Sequence, residues 1–187
     1  MEAVFDLKPI RDATNLSLIA TNRSLEQGGL CRSSEAERVK GIVGACEAGF
    51  DFVDIELTSG ILQETVKNVK DLGVKLIISY HDLQATPQLD DLRKIVQGEL
   101  RAGADICKIV GTAVNQWDGL TYLRFLQENS SISLVCFGMG EAGIVSRIFS
   151  PLLGGAFTYA SSGAGSESAA GQLTIADMKT IYRIIGV

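Results

Sequence analysis

Short apolar runs recur along the chain, each followed by a turn and then by a stretch whose apolar residues keep a helical spacing. The runs at 17–21, 52–57, 74–80, 105–110, 132–137 and 156–160 predict strands. They begin about 20–40 residues apart, as strands alternating with helices do. A further short strand is expected at 3–7. Helix signals fill the gaps. Ser33 or Ser34 can cap a helix running to Ala48, with Gly49 at its end. Ser59 can cap the next, which Gly73 closes. Pro87 opens the region leading to a helix over 89–101, followed by Gly103, and a last helix is expected over 174–185.

Strand alternating with helix predicts a parallel sheet with helical crossovers, either open and doubly wound or closed as a (β/α) barrel. The polar residues inside the strands favour the barrel. In Val53-Asp54-Ile55-Glu56 both carboxylates project to one face. In the run ending Ile77-Ile78-Ser79-Tyr80-His81, Ile77, Ser79 and His81 share a face, and Lys108 sits within its strand rather than beyond it. Polar groups from several strands converge on a barrel axis, whereas an open sheet gathers its chemistry in loops at a switch point. The expected fold is therefore α/β, of (β/α)8 TIM-barrel type, as one domain over 1–187. A complete eightfold barrel usually takes about 250 residues, and about seven strands are expected here, one strand–helix unit fewer at the N-terminus.

Composition narrows the class without changing the fold. Of 187 residues, 46% are hydrophobic and 21% charged, ordinary for a globular domain. A formal charge of -5 argues against a nucleic-acid or anionic-membrane surface. No apolar run is long enough to span a membrane and no secretory leader opens the chain, so a cytoplasmic location is expected. Cys31, Cys46, Cys107 and Cys136 are scattered and the chain has a single histidine, so a Cys/His zinc site is not expected.

Four segments offer chemistry. Lys108, flanked by apolar strand residues, is expected to lose hydration, which favours the neutral amine that attacks a ketone to form an imine. A lysine reaching past a strand edge to solvent reads equally well from the residue alone. His81 stands where an apolar strand meets a loop and suits proton transfer near neutral pH; a structural role is the simpler reading of one histidine so placed. Gly138-Met139-Gly140-Glu141-Ala142-Gly143 leads from a strand into a helix bearing Arg147, a glycine turn whose N–H groups could face an anion. Arg147 itself could hold a carboxylate in bidentate fashion. The Gly/Ser/Ala-rich stretch from Ser161 to Gln172 reads as a mobile loop over a site.

Taken in order, these pieces resemble type I 3-dehydroquinate dehydratase, the Schiff-base enzyme of the shikimate pathway. The resemblance rests on Thr21-Asn22-Arg23 with Gly28-Gly29, Asp54-Ile55-Glu56-Leu57, Ser79-Tyr80-His81-Asp82 with Thr86-Pro87, and Gly103-Ala104-Asp105 with Lys108. It continues through Met139-Gly140, Ser146-Arg147, and Ser168 with Gly171-Gln172. It implies a (β/α)8 barrel and a lyase (hydro-lyase) reaction without metal or organic cofactor, the third step of the pathway to aromatic amino acids. Lys108 would form an imine with the C3 ketone of 3-dehydroquinate. His81 would take a proton from C2 and then protonate the departing C1 hydroxyl, giving 3-dehydroshikimate. Arg147, Ser168 and Gln172 match the family's contacts to the substrate carboxylate, and Arg23 a contact to the ring hydroxyls.

The chain also departs from the family pattern. The glutamate that usually precedes the Gly-Gly pair and orients the histidine is Gln27. The family's Glu-x-Arg-x-Asp strand survives as Glu2-Ala3-Val4-Phe5-Asp6, in which Glu2 would still meet substrate. Ala169-Ala170-Gly171-Gln172 stands where the family has Ala-Pro-Gly-Gln, a change expected to loosen the lid. An open barrel edge invites association, so a homodimer is among the expectations. Beside the active lyase stands a second reading, an impaired or regulatory relative that binds dehydroquinate or quinate without turnover. An aldolase-type barrel would account for Lys108 but not for the ordered His81, Arg147 and Gln172 motifs.

Overall fold

The structure is a computed structural model and describes residues 6–187. Its helices are α1 (Lys8–Asp12), α2 (Glu35–Glu47), α3 (Leu62–Asp71), α4 (Leu89–Ala102), α5 (Gln116–Glu128), α6 (Ile144–Phe149) and α7 (Ile175–Ile185). Its strands are β1 (Ile19–Thr21), β2 (Phe52–Glu56), β3 (Lys75–Asp82), β4 (Ile106–Thr112) and β5 (Leu134–Met139). No described helix is long and apolar enough to cross a membrane.

The chain divides into two compact units, Met1–Tyr80 with Gln97–Ile106, and His81–Val96 with Cys107–Val187. In the first, β1, β2 and β3 are parallel neighbours in chain order, with Asp54 opposite Ile77 and Glu56 opposite Ser79. β2 is buried on both faces, as a strand covered on both sides must be. Val53 and Ile55 join Leu76 and Ile78 of β3 and Val39, Ile42 and Cys46 of α2 in one apolar cluster. Asp54, Glu56 and Ser79 occupy the opposite face and are also buried. In the second unit β4 and β5 are parallel, with Lys108 opposite Val135 and Val110 opposite Phe137, and α5 packs on β5.

Local chemistry explains most of the boundaries. Ser34 and Glu37 form a reciprocal capping box at the start of α2, and Asn115–Asp118 and Thr174–Asp177 do the same for α5 and α7. Gly49, Gly73 and Gly103 follow their helices with φ of 90°, 71° and 99°, a left-handed turn that a side chain would strain. Ser59 does not cap α3. The cap position is Ile61 without a side-chain bond, and the Ser59 hydroxyl donates to Glu35 instead.

One expected strand differs. Residues 156–160 form no ladder: Ala156 N–H donates to the Leu134 carbonyl at 2.8 Å, and an isolated bridge joins Ser161 to Thr174. Gly154, at φ 98°, and Gly155, bonded back to Ser150, bend the chain just before the segment and interrupt the pairing. The strand expected at 3–7 lies mostly outside the described residues; Leu7 is the residue before α1. Helices α1 and α5 were not anticipated from the pattern.

Candidate active site

Lys108 lies within β4 and is only 7% exposed. Its Nζ stands 4.7 Å from the centroid of the Tyr159 ring, in cation–π geometry. That ring makes edge contacts with Phe137 at 6.2 Å and Phe157 at 5.5 Å. Phe137 in turn carries the guanidinium of Arg147 on its face, 4.5 Å from the centroid. Two buried cations of one unit thus rest on two adjoining aromatic rings.

Arg147, on α6, is 2% exposed. One nitrogen donates to the Ala170 carbonyl at 3.3 Å, while Nε is buried without a partner among the described residues, and no described carboxylate pairs with the group. Burial lowers its pKa to about 10, well below the ordinary guanidinium value. A carboxylate placed against such a guanidinium would restore interactions that burial removes.

Three N–H groups of the glycine turn before α6 are bonded within the protein. Gly138 N–H donates to Ser146 Oγ at 2.9 Å, Gly140 N–H to the Ala170 carbonyl at 3.0 Å, and Gly143 N–H to the Gly140 carbonyl at 3.0 Å. These donors are spent inside the protein. The glycines serve close approach: a Cβ at Gly143 would stand 2.3 Å from the Gly138 oxygen. The Gly/Ser/Ala-rich loop is anchored on the same turn, since Ala170 receives bonds from both Gly140 and Arg147. At its tip the Gln172 side-chain oxygen accepts from Ser168 N–H at 2.8 Å and from Ser168 Oγ at 3.3 Å. Arg147, Ser168 and Gln172 are therefore joined through one short loop.

His81 lies near the end of β3 and is partly buried. The next residue does not orient it: Asp82 Oδ1 accepts from the N–H groups of Gln84 and Ala85 at 2.9 and 3.0 Å, turning the chain after the strand. That loop is tied to β4 by Thr86 Oγ1, which donates to the Thr112 carbonyl at 3.2 Å, and by Thr112 Oγ1, which donates to that of Leu83 at 3.0 Å.

The first unit holds Arg23, just beyond β1. It donates to Asp54 at 2.7 Å and to Ser79 Oγ at 2.6 Å, and approaches Glu56 at 3.2 Å. Glu56 accepts from Ser24 N–H at 3.0 Å and pairs with Arg38 at 2.6 Å. Arg38 also grips the Asn22 carbonyl at 2.9 Å and Glu35 with two nitrogens. The shared face of Asp54 and Glu56 was legible in the sequence, but their job of holding Arg23 was not. Tyr159 and Arg38 went unnoticed; the alternation Phe157-Thr158-Tyr159 was the available signal for the first. Gln27 ends the Leu25–Gln27 turn, its N–H on the Ser24 carbonyl at 3.2 Å. Glu2 lies outside the described residues.

The family model for type I 3-dehydroquinase matches residues 5–187. The 3-dehydroquinate dehydratase of Dehalococcoides mccartyi is 37% identical over 171 residues, 91% of this chain and 77% of the relative. Among solved structures, 3-dehydroquinate dehydratase from Geobacillus kaustophilus superposes with a TM-score of 0.87 at 30% identity, covering 96% of this chain and 71% of that one. The type I 3-dehydroquinate dehydratase of Clostridium difficile, solved with covalently modified comenic acid, gives 0.85 at 25% identity over 96% and 72%.

Proposed function

The chain belongs to the type I 3-dehydroquinase family of hydro-lyases, whose solved members are TIM-barrel enzymes, and from that premise we propose that it dehydrates 3-dehydroquinate through an imine on Lys108. The observation that carries this reading is the pair of buried cations, Lys108 and Arg147, set on adjoining rings of one unit. A keto acid needs both: an amine for its ketone and a fixed cation for its carboxylate.

The residues then take the following roles. Neutral Lys108 adds to C3 of the substrate. One N–H proton and one proton from solution leave with the carbonyl oxygen as water, and a protonated imine remains. The imine acidifies C2–H by offering its carbon–nitrogen bond as an electron sink. His81 takes that proton and returns it to the C1 hydroxyl, which departs as water. Hydrolysis of the conjugated imine releases 3-dehydroshikimate and restores Lys108. Arg147 binds the carboxylate, with Ser168 and Gln172 beside it. Arg23 meets the ring hydroxyls, already oriented by Asp54 and Glu56. In the same reading Glu2 is a substrate-binding residue and Gln27 steadies His81, and the chain is one barrel domain working in the cytoplasm without a cofactor.

Borohydride reduction in the presence of 3-dehydroquinate tests the centre of this proposal. Wild type should gain a stable adduct on Lys108 and lose activity irreversibly. An adduct that persists in Lys108→Ala, or none in wild type, would sink it.

A further inference from the structure

Resting on the imine reading above, we propose that the face of Tyr159 is itself part of the catalytic centre, carrying the positive charge on Lys108 Nζ as it passes from ammonium to protonated imine. The ring lies against the reacting nitrogen, 4.7 Å from centroid to Nζ, on a lysine that is almost removed from water. A buried cation needs a substitute for its hydration, and the negative face of a ring supplies one that cannot take the proton. The ring's non-basic attraction favours positive charge on the nitrogen without competing for its proton.

The orientation of the ring is enforced from two sides. Phe137 and Phe157 both meet Tyr159 at an interplanar angle of 65°, edge contacts that restrain rotation of its plane. The same array gives Arg147 a separate ring, Phe137. Each cation has its own aromatic surface, so the carboxylate site and the imine site do not compete for one.

The charge to be supported appears in a defined step. When Nζ adds to the ketone and the oxygen leaves as water, nitrogen keeps one hydrogen and takes the positive charge. That charge is lost when His81 removes the C2 proton and regained when the C1 hydroxyl departs. The ring favours both cationic states.

Two substitutions of nearly equal shape separate the charge effect from packing: Tyr159→Phe and Tyr159→trifluorophenylalanine. Fluorination removes the negative ring face and keeps the volume. The fluorinated protein should show a kcat and a rate of borohydride trapping lower than Tyr159→Phe by a few-fold to about thirtyfold, the range a cation–π contact spans. Equal values for the two variants, with wild type trapped normally, would overturn the role of the ring and leave the imine reading standing. Absence of an adduct in wild type would overturn both.

Discussion

Arg38 of α2 and Glu56 of β2 meet at 2.6 Å with each side chain only 2% exposed. The pair fixes Glu56 and, through it, the surroundings of Arg23. Arg38 occupies one oxygen of Glu56, which leaves the other for Ser24 N–H and Arg23. It also holds the Asn22 carbonyl, one residue before Arg23. Breaking a buried pair by deleting one partner costs about 3–5 kcal/mol, because the other charge stays buried. Arg38→Met should therefore lose about 3 kcal/mol in urea unfolding. The double variant Arg38→Met, Glu56→Gln should recover part of it. An unchanged midpoint in the single variant would show that the pair contributes nothing.

Glu35 extends this network to the surface, and its pKa lies below the usual 4.5, chiefly because its carboxylate accepts from Arg38. The Ser59 hydroxyl contributes in the same direction, against a smaller opposing effect of burial than the Arg38 bond provides. A carboxyl whose folded pKa is depressed adds stability that is fully present above its unfolded pKa and is lost as pH falls through the folded value. The window is therefore acid, below about pH 4.5. Melting temperatures measured from pH 6 to 3 should fall less steeply in Glu35→Gln than in wild type. Parallel curves for the two would remove Glu35 from the acid response.

What could be read from the sequence follows from where each residue's partners lie. Lys108 was visible because a charge inside an apolar strand needs no distant information to look unusual. Asp54 and Glu56 were visible as a face because strand alternation is local. Arg38 was not, since Glu35-Ala36-Glu37-Arg38-Val39-Lys40 reads as a solvated helix surface, and the residue that buries it lies 18 positions away. The glycine turn was recognised, but the Gly138 and Gly140 N–H groups go to Ser146 and Ala170, whose positions the turn alone does not specify. Residues 156–160 have the composition of a strand, yet pairing is a long-range property that a local pattern cannot supply.

Arg147 sets binding against stability. Its guanidinium is buried on Phe137 without a carboxylate, and its pKa is lowered to about 10 by burial. Between that value and the higher ordinary guanidinium pKa the unfolded chain binds the proton more strongly than the folded one, so below it the folded protein bears an unfavourable charge. Arg147→Met should bind 3-dehydroquinate at least a hundredfold more weakly. Its melting temperature should match or exceed that of wild type, since about 1 kcal/mol amounts to some 2–4 °C in a chain of this length. Added substrate should raise the melting temperature of wild type and not of the variant. A variant that unfolds many degrees lower would mean that the guanidinium is a structural support.

Gly171 connects the loop to the turn before Arg147, the proposed carboxylate contact. Its φ of 72° suits glycine, and a Cβ there would lie 2.2 Å from the Gly140 carbonyl oxygen, so alanine cannot enter without moving the loop. The neighbour that must move is Ala170, whose carbonyl receives Gly140 N–H and the Arg147 guanidinium. Displacing it takes away the hydrogen bond that aims Arg147 and shifts Ser168 and Gln172 with it. Lys108 and Tyr159 lie on other segments and keep their contact. Gly171→Ala should therefore raise KM for 3-dehydroquinate by about tenfold, worth ~1.4 kcal/mol of binding, while kcat changes little. Because Ser168 and Ala170 are exposed, the melting temperature should shift by only a few degrees. A variant whose kcat falls while KM is unchanged would place the loop's influence on the imine chemistry rather than on carboxylate capture.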